Sequence, residues 1–114
     1  MEDQKAIECL SAIAHSTRLK VFRLLASRGE EGLSSGEIAR VLDTPATTMS
    51  THLGILARAG VIRARRQSRV VCYAVSQDGV RSLLNYLISD CCGGRPDLCA
   101  PSTAALSSSS VRKA

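Results

Sequence analysis

Residues 46–75 read ATTMSTHLGILARAGVIRARRQSRVVCYAV, and this stretch decides the fold. Its first half carries apolar residues at spacings of four and three: Met49, Leu53 and Leu56. This spacing predicts an amphipathic helix from about Ala46 to Ala59. Gly60 permits a left-handed backbone and therefore ends the helix. The second half holds two β-prone runs, VIRAR and RVVCYAV, which predict a hairpin with a basic tip around residues 66–68.

A shorter helix precedes this stretch. Ser34 or Ser35 can cap it, with Glu37 in its first turn. Its apolar face consists of Ile38, Ala39, Val41 and Leu42. Residues 43–45, DTP, stop it, because proline is tolerated only at the start of the next helix. A short helix, a tight turn, a longer helix and a basic hairpin make a winged helix-turn-helix, so the predicted fold class is mainly α with a small β-hairpin.

Amphipathic patterns on both sides of this unit predict three more helices. The first covers residues 4–14 and carries the apolar residues Ala6, Ile7, Leu10, Ile13 and Ala14. The second covers 17–27, is capped by Ser16 and is apolar on more than one side, which favours a central, largely buried position. After a turn at 76–79, the last helix ends near Asp90 and carries Val80, Leu83, Leu84, Leu87 and Ile88.

The composition bounds the possible functions. The chain of 114 residues forms one domain, whose core must rely on aliphatic residues because Trp is absent, Phe occurs once and Tyr twice. A net charge of +5 favours a polyanionic partner. The chain shows neither a signal peptide nor an apolar run of membrane-spanning length, which predicts a cytoplasmic protein. It also shows no phosphate loop, activated nucleophile or paired acids, so we expect no enzymatic activity.

Polar residues occupy the other face of the predicted 46–59 helix: Thr47, Thr48, Ser50, Thr51 and His52. Small hydroxyl residues near a helix start can approach base edges, and the free backbone amides there suit a phosphate. Plain solvation explains such a face equally well. Four arginines then crowd the hairpin: Arg63, Arg65, Arg66 and Arg69. Because like charges repel unless a polyanion lies opposite, the two features together predict a DNA interface, with the arginines mainly on phosphates.

The segments HSTRLKVFRLL (15–25) and LSSGEIARVLDTPATTMSTHLGILARAGVIRARRQSRVVCYAV (33–75) resemble the ArsR/SmtB family of metal-sensing winged-helix repressors. The resemblance covers about residues 4–90. It implies a homodimer formed through the first and last helices, which binds a near-palindromic operator and blocks transcription. The wing turn has QS at 67–68, where the family commonly has glycine. Residues 34–42 lack the paired cysteines that many arsenic sensors carry there, so an inducer site must lie elsewhere or be absent.

Residues 91–99 read CCGGRPDLC and hold three of the five cysteines. A reducing compartment disfavours structural disulfides and favours metal, metalloid or redox chemistry. Trivalent arsenic and antimony are soft and favour three thiolates in a pyramid, a number that Cys91, Cys92 and Cys99 provide. We therefore predict an As(III) or Sb(III) inducer site there. It is similar to the sites at the end of the dimer helix in arsenic-responsive members of the family.

These thiols have other possible uses. A redox switch would pair Cys91 or Cys92 with Cys99, because two adjacent cysteines form a strained disulfide. Zinc or cadmium would take four ligands, with Asp90 or Asp97 completing the site. The three thiols can also be ordinary small residues of a mobile tail. In a different functional class, the chain would be a cytosolic metal buffer whose arginines carry no function.

The remaining candidate residues have structural interpretations. Cys9 and Cys72 lie in apolar-patterned elements and are interpreted as packing residues. His15 is interpreted as a capping or packing residue, and Arg18 as a member of a structural ion pair or a phosphate contact. The chain thus divides into a winged helix-turn-helix DNA-binding and dimerisation domain (1–90), a cysteine inducer-site segment (91–99) and a disordered Ser-rich tail (100–114).

Overall fold

The computed structural model describes residues 1–91, with the side chains of Asp90 and Cys91 excepted. Its elements follow in the order α1 (Asp3–Ile13), α2 (Ser16–Ala26), β1 (Leu33–Ser34), α3 (Ser35–Val41), α4 (Ala46–Ala59), β2 (Ile62–Gln67), β3 (Val70–Val75) and α5 (Gln77–Asn85). A π-helical segment, Tyr86–Cys91, continues α5. The fold is therefore mainly helical with a small antiparallel sheet, which confirms the predicted class.

The helix-turn-helix unit follows its sequence signals closely. Helix α4 has the predicted bounds, with Pro45 at its N-cap and Gly60 at its C-cap in the left-handed conformation, φ 91°. Between α3 and α4 the chain reverses through Asp43, whose φ is 51°. Aspartate is among the few residues that adopt this conformation at a small cost. The turn therefore needs no glycine.

The sheet has one strand more than the sequence predicted. Strand β1 pairs antiparallel with β3, so the strand order is β1-β3-β2. Two residues are too short for a period-2 signal, which is why the pattern missed this strand. Gly32 leads into it with φ +67°, and a Cβ at this position would lie 2.0 Å from the carbonyl oxygen of Tyr73. Glycine is thus required where β1 meets β3.

The hairpin between β2 and β3 turns one residue later than expected. The strands end at Gln67 and resume at Val70, and these two residues face each other in the register. The turn is therefore Ser68-Arg69 rather than 66–68. Ser68 adopts φ 57°, the conformation that a glycine would adopt more easily. The absence of glycine at the tip does not prevent a tight two-residue turn.

The core lies where α1, α2, α3 and α4 meet the sheet. Its largest fully buried side chains are Val21, Leu25, Ile38, Met49, Leu53, Leu56, Val61 and Ile62. The aromatic residues Phe22, Tyr73 and Tyr86 are only partly buried. Burying one large aliphatic side chain stabilises the fold by roughly 1.5–3 kcal/mol, so this aliphatic core holds α4 against its neighbours. Helix α2 is less buried than predicted, since Leu19 is exposed.

The start of α2 differs from the prediction. His15, rather than Ser16, is the N-cap residue, and its Nδ1 accepts a hydrogen bond from the backbone N–H of Thr17 at 3.1 Å. Ser16 is already the first residue of the helix. The interpretation of His15 as a capping residue is confirmed. Histidine is an uncommon cap, which is why the serine was the stronger sequence signal.

The last helix also begins earlier than predicted. Residues 76–79 are not a separate turn, because α5 starts at Gln77 and the hydroxyl oxygen of Ser76 accepts a hydrogen bond from the N–H of Gly79. Serine at an N-cap satisfies an amide that would otherwise lack a partner. The helix changes to π winding at Tyr86 and continues to Cys91. None of the helices within residues 1–91 is long and apolar enough to span a membrane.

Ser34 and Glu37 form a capping box at the start of α3. The Ser34 hydroxyl accepts from the Glu37 N–H at 3.2 Å, and Glu37 Oε1 accepts from the Ser34 N–H at 2.9 Å. These hydrogen bonds lower the pKa of Glu37. We expect Ser34→Ala to lower the free energy of unfolding by about 1 kcal/mol, as measured by urea unfolding at pH 7. Ser35→Ala is the matched control, and an equal loss in both variants would contradict the assignment of the cap.

Candidate nucleic-acid interface

Helix α4 separates an apolar face from a hydroxyl-rich face. Met49, Leu53 and Leu56 are fully buried, as predicted. The exposed residues of the first turns are Thr47, Thr48, Ser50 and Thr51. Within residues 1–91 no side chain caps the helix start at Pro45. The first amides of α4 are therefore free to meet an anion such as a phosphate.

The hairpin extends the exposed surface with positive charge. The four predicted arginines, Arg63, Arg65, Arg66 and Arg69, are all exposed. Ile62 at the base of β2 is buried, which fixes the hairpin to the core. Among the described residues the only ion pair is between Lys5 and Glu8, at 3.8 Å. None of the four hairpin arginines therefore has a carboxylate partner in the described part of the chain. Uncompensated guanidinium groups on an exposed hairpin are suited to phosphate contacts.

His52 lies apart from the other polar residues of α4. It is half-buried, and its Nδ1 lies 3.4 Å from Nη1 of Arg18. Its ring centroid is 4.7 Å from that of His15. Burial, followed by the charges of His15 and Arg18, lowers the pKa of His52. The neutral ring is therefore favoured at pH 7.

Arg18 joins three helices, a role that the sequence pattern did not reveal. Its Nε donates to the carbonyl oxygen of Ala12 in the last turn of α1 at 2.6 Å. Its Nη1 faces His52 on α4. Arg18 itself lies in the first turn of α2, where helical periodicity marks it only as polar. The predicted ion pair of Arg18 is wrong for the described residues, because the partners of its guanidinium there are a carbonyl and an imidazole.

An apolar face remains exposed on α1 and on the last helical segments. Its members are Ile7, Leu10, Leu84 and Ile88. Ile7 is 58% exposed and Leu84 is 51% exposed, which is high for large aliphatic side chains on two amphipathic helices. The hydroxyl of Tyr86 donates to Asp3 Oδ1, which connects the π-helical segment to the start of α1. The two predicted apolar stripes thus belong to elements that the fold brings together.

Comparison with known proteins places the chain in a family. A family model described as a helix-turn-helix domain matches residues 13–65. The transcriptional activator HlyU of Vibrio cholerae is 30% identical over 83 residues, which are 73% of this chain and 74% of HlyU. Its solved structure has a TM-score of 0.62 and covers 77% of this chain and 95% of that chain. A homodimeric winged helix-turn-helix domain from Mycobacterium bovis, described as a possible ArsR-family regulator, has a TM-score of 0.62 at 26% identity and covers 79% and 88%.

The chain belongs to the ArsR/SmtB family. Members of this family are helix-turn-helix transcriptional regulators, and the predicted winged fold is confirmed. The solved structure of a possible transcriptional regulator for arsenical resistance is also similar, with a TM-score of 0.62 at 27% identity over 72% of this chain and 82% of that chain. HlyU has in addition been solved in a form described as reduced.

The described cysteines of this ArsR/SmtB protein lie apart from one another. Cys9 is 1% exposed and its Sγ donates to the carbonyl oxygen of Ala59 at 3.3 Å. Burial raises the pKa of Cys9, which disfavours the thiolate that a soft ion needs. Cys72 is half-buried on β3. Both are free, and among residues 1–89, whose side chains the structure describes, no three His, Cys, Asp or Glu side chains are grouped for a metal ion.

The predicted inducer site lies largely outside the described residues. Cys91 is the last residue of the π-helical segment. Cys92 and Cys99 follow the described range, as do Asp97 and the Ser-rich tail. The winged regulator and its proposed sensor segment thus join at Cys91, and the three-thiolate site stays a prediction.

The arginines of the β2–β3 hairpin, the wing, should make DNA affinity depend on salt if they contact phosphates. Each phosphate contact contributes about 0.9 to the slope of log affinity against log salt. We expect Arg66→Ala or Arg69→Ala to weaken binding to all duplexes and to reduce this slope by about one. Fluorescence anisotropy between 50 and 300 mM salt measures both effects. Arg81→Ala, an exposed arginine on α5, is the charge-matched control. The same change in the control would contradict a specific role for the wing.

Proposed function

We propose that this chain is a dimeric repressor that binds operator DNA and releases it when As(III) or Sb(III) binds Cys91, Cys92 and Cys99. The single observation that carries the DNA-binding part is the succession of a hydroxyl-rich exposed face on α4 and an arginine-rich hairpin that has no carboxylate partner in the described part of the chain. Membership of a family of transcriptional regulators supports the same conclusion. The hydroxyl groups are suited to base edges and the arginines to phosphates.

The exposed apolar face of α1, α5 and the π-helical segment supports the dimer. Leaving Ile7, Leu10, Leu84 and Ile88 in water forgoes the stabilisation that burial of aliphatic side chains provides, roughly 1.5–3 kcal/mol each when complete. A second copy of the chain presents the same face, so a two-fold axis between the copies would cover both. The similar domain from Mycobacterium bovis is homodimeric. Such a dimer would present its two α4 helices, the recognition helices that enter the major groove, about 34 Å apart, which is one turn of DNA.

The position of Cys91 supports a sensor beside this dimer face. The helical backbone continues through Cys91, three residues after the exposed Ile88. The first thiol therefore follows directly on an element that contributes to the dimer face. Similarity to a possible regulator for arsenical resistance favours a metalloid as inducer. Cys91, Cys92 and Cys99 would hold the ion as three thiolates, a donor set that suits soft, pyramidal As(III) better than a hard ion.

Release of DNA requires that the metalloid bind one state of the dimer more tightly than the other. If the ion prefers a dimer whose recognition helices no longer match successive grooves, filling the site lowers operator affinity. The coupling is reciprocal, so operator DNA should weaken metalloid binding by the same factor. Blocking of transcription then follows from occupancy of the operator in the absence of the ion.

A redox-responsive regulator is the second candidate. The similarity to HlyU, which has been solved in a form described as reduced, favours it. In that mechanism Cys91 or Cys92 would pair with Cys99 on oxidation. The redox mechanism would use the same fold and the same DNA interface as the metalloid mechanism. Only the chemical signal differs between the two candidates.

One experiment separates these candidates and a metal buffer. A duplex selected from a random library with the reduced, full-length protein is labelled, and its release is followed by anisotropy. Release by arsenite under strict reduction, but not by peroxide, supports the proposal. Release by peroxide alone would establish the redox switch instead. If the library yields no bound duplex while arsenite still binds the protein, the chain is a buffer and the proposal is wrong.

A further inference from the structure

We infer that Arg18 is a positioning residue for DNA reading: it fixes His52 as a neutral ring protonated only at Nε2, so that His52 selects a hydrogen-bond acceptor on a base edge. This inference rests on the proposed binding of DNA by α4, and it is independent of any inducer. Arg18 lies on α2, outside the recognition helix α4 and the β2–β3 hairpin.

The tautomer of His52 follows from the geometry. Arg18 has donors but no acceptor, so the His52 Nδ1 that faces its Nη1 at 3.4 Å must offer a lone pair. The single proton of the neutral ring then resides on Nε2. Nε of Arg18 is held at 2.6 Å from the carbonyl oxygen of Ala12, which anchors the guanidinium to the end of α1. The donor that fixes the ring is therefore itself fixed.

The surroundings of His52 disfavour a positive charge on its ring, because Arg18 beside it is already positive. The His52 ring contacts the His15 ring at the start of α2 and the Arg18 guanidinium on α2. The Ala12 carbonyl of α1 accepts from Arg18 and is not in direct contact with His52. His15 uses its own Nδ1 to accept from the N–H of Thr17, so that ring also carries its proton on Nε2 when neutral. Protonating His52 would remove the hydrogen bond to Arg18 and place two cations side by side. The lowered pKa of His52 agrees with this picture.

A donor-only side chain discriminates between bases, whereas a hydroxyl does not. Thr48, an exposed neighbour of His52 on α4, carries a hydroxyl that can both donate and accept. An Nε2–H can bond to N7 or O6 of guanine, to O4 of thymine or to N7 of adenine in the major groove, but cytosine presents only its amino donor there. His52 therefore gives α4 a preference that its hydroxyl residues lack.

Two substitutions separate the roles of the two ring nitrogens. His52→Asn keeps an acceptor near the Nδ1 position for Arg18 and removes the group at Nε2. His52→Gln places an amide nearer to Nε2 and removes the acceptor for Arg18. Selection from a random duplex library with the metalloid-free, full-length protein gives the base preference of each form. We expect wild type to disfavour cytosine at one position of each half-site, by roughly 2- to 10-fold relative to the other bases.

His52→Asn should lose that preference at this position alone while keeping the thermal stability of wild type. Arg18→Gln should weaken the base preference at the same position, although Arg18 itself contacts no base. Unchanged preference in His52→Asn would overturn the inference. A uniform loss of affinity in Arg18→Gln, with the preference unchanged, would do the same because it indicates a structural or phosphate role only.

Nitrogen NMR of wild type tests the inference even if Arg18→Gln fails to fold. The shifts should show His52 protonated at Nε2 and not at Nδ1 at pH 7, and the Nδ1–H form would overturn the assignment. In a folded Arg18→Gln variant, the His52 titration should move to higher pH because a neighbouring positive charge is gone. Both measurements are made without arsenite, so failure of metalloid release leaves them valid.

Discussion

Replacing Cys91, Cys92 or Cys99 with serine is expected to abolish the response to arsenite while leaving operator affinity unchanged. Serine preserves the shape of cysteine but replaces a soft thiolate with a hydroxyl that stays protonated at neutral pH, so the three-sulfur donor set is lost. Wild type should lose operator affinity by about 5- to 150-fold when arsenite is added, the usual range for coupling between two sites. Each variant should show no change.

Cys72→Ser is the matched control for this series. Cys72 is a free, half-buried thiol on β3, and its partner across the hairpin register is Arg65. We expect this variant to release the operator like wild type in the same anisotropy titration. Loss of operator binding in the Cys91, Cys92 or Cys99 variants would mean that these thiols are structural. Retained release in all three single variants would contradict a three-thiolate site.

Gly79→Ala is expected to cause a large loss of stability. A Cβ at Gly79 would lie 1.9 Å from the carbonyl oxygen of Gly60, which caps α4 in the left-handed conformation. The backbone of Gly60 cannot move freely, because the next residue, Val61, accepts a hydrogen bond from the Ser76 N–H at 3.0 Å. Overpacking of this kind costs about 1–3 kcal/mol or more. The variant should also displace α5 from the end of the recognition helix.

Gly54→Ala is the control because it adds the same methyl group to open space. Apart from its chain neighbours and the nearby backbone of its own helix, no atom lies within 4 Å of a Cβ at Gly54, which is in the interior of α4. Alanine there should raise the free energy of unfolding by roughly 0.5–1 kcal/mol through helix propensity. Urea unfolding at one fixed protein concentration measures both variants, since a dimer makes stability depend on concentration. Equal effects of the two substitutions would contradict the close contact of Gly79.

Much of the fold and part of the site were predictable from local sequence. The bounds of α4 follow from the apolar period, Pro45 and Gly60, and the capping of α3 from Ser34 and Glu37. The exposed hydroxyl face and the arginine-rich hairpin needed no knowledge of distant residues. Ser16 was wrong as a cap because the neighbouring His15 takes that role, and the turn predicted at 76–79 was wrong because Ser76 caps a helix that already starts at Gln77.

The sequence by itself determined which elements form and which surface carries positive charge, because helix period, capping and hairpin turns are decided by residues a few positions apart. Only the tertiary structure decided that Arg18 meets His52, 34 positions away, and that the Cys9 thiol meets the Ala59 carbonyl, 50 positions away. Such contacts depend on how α1, α2 and α4 pack on the shared aliphatic core. A local pattern marks these side chains as polar or apolar but carries no information about their partners.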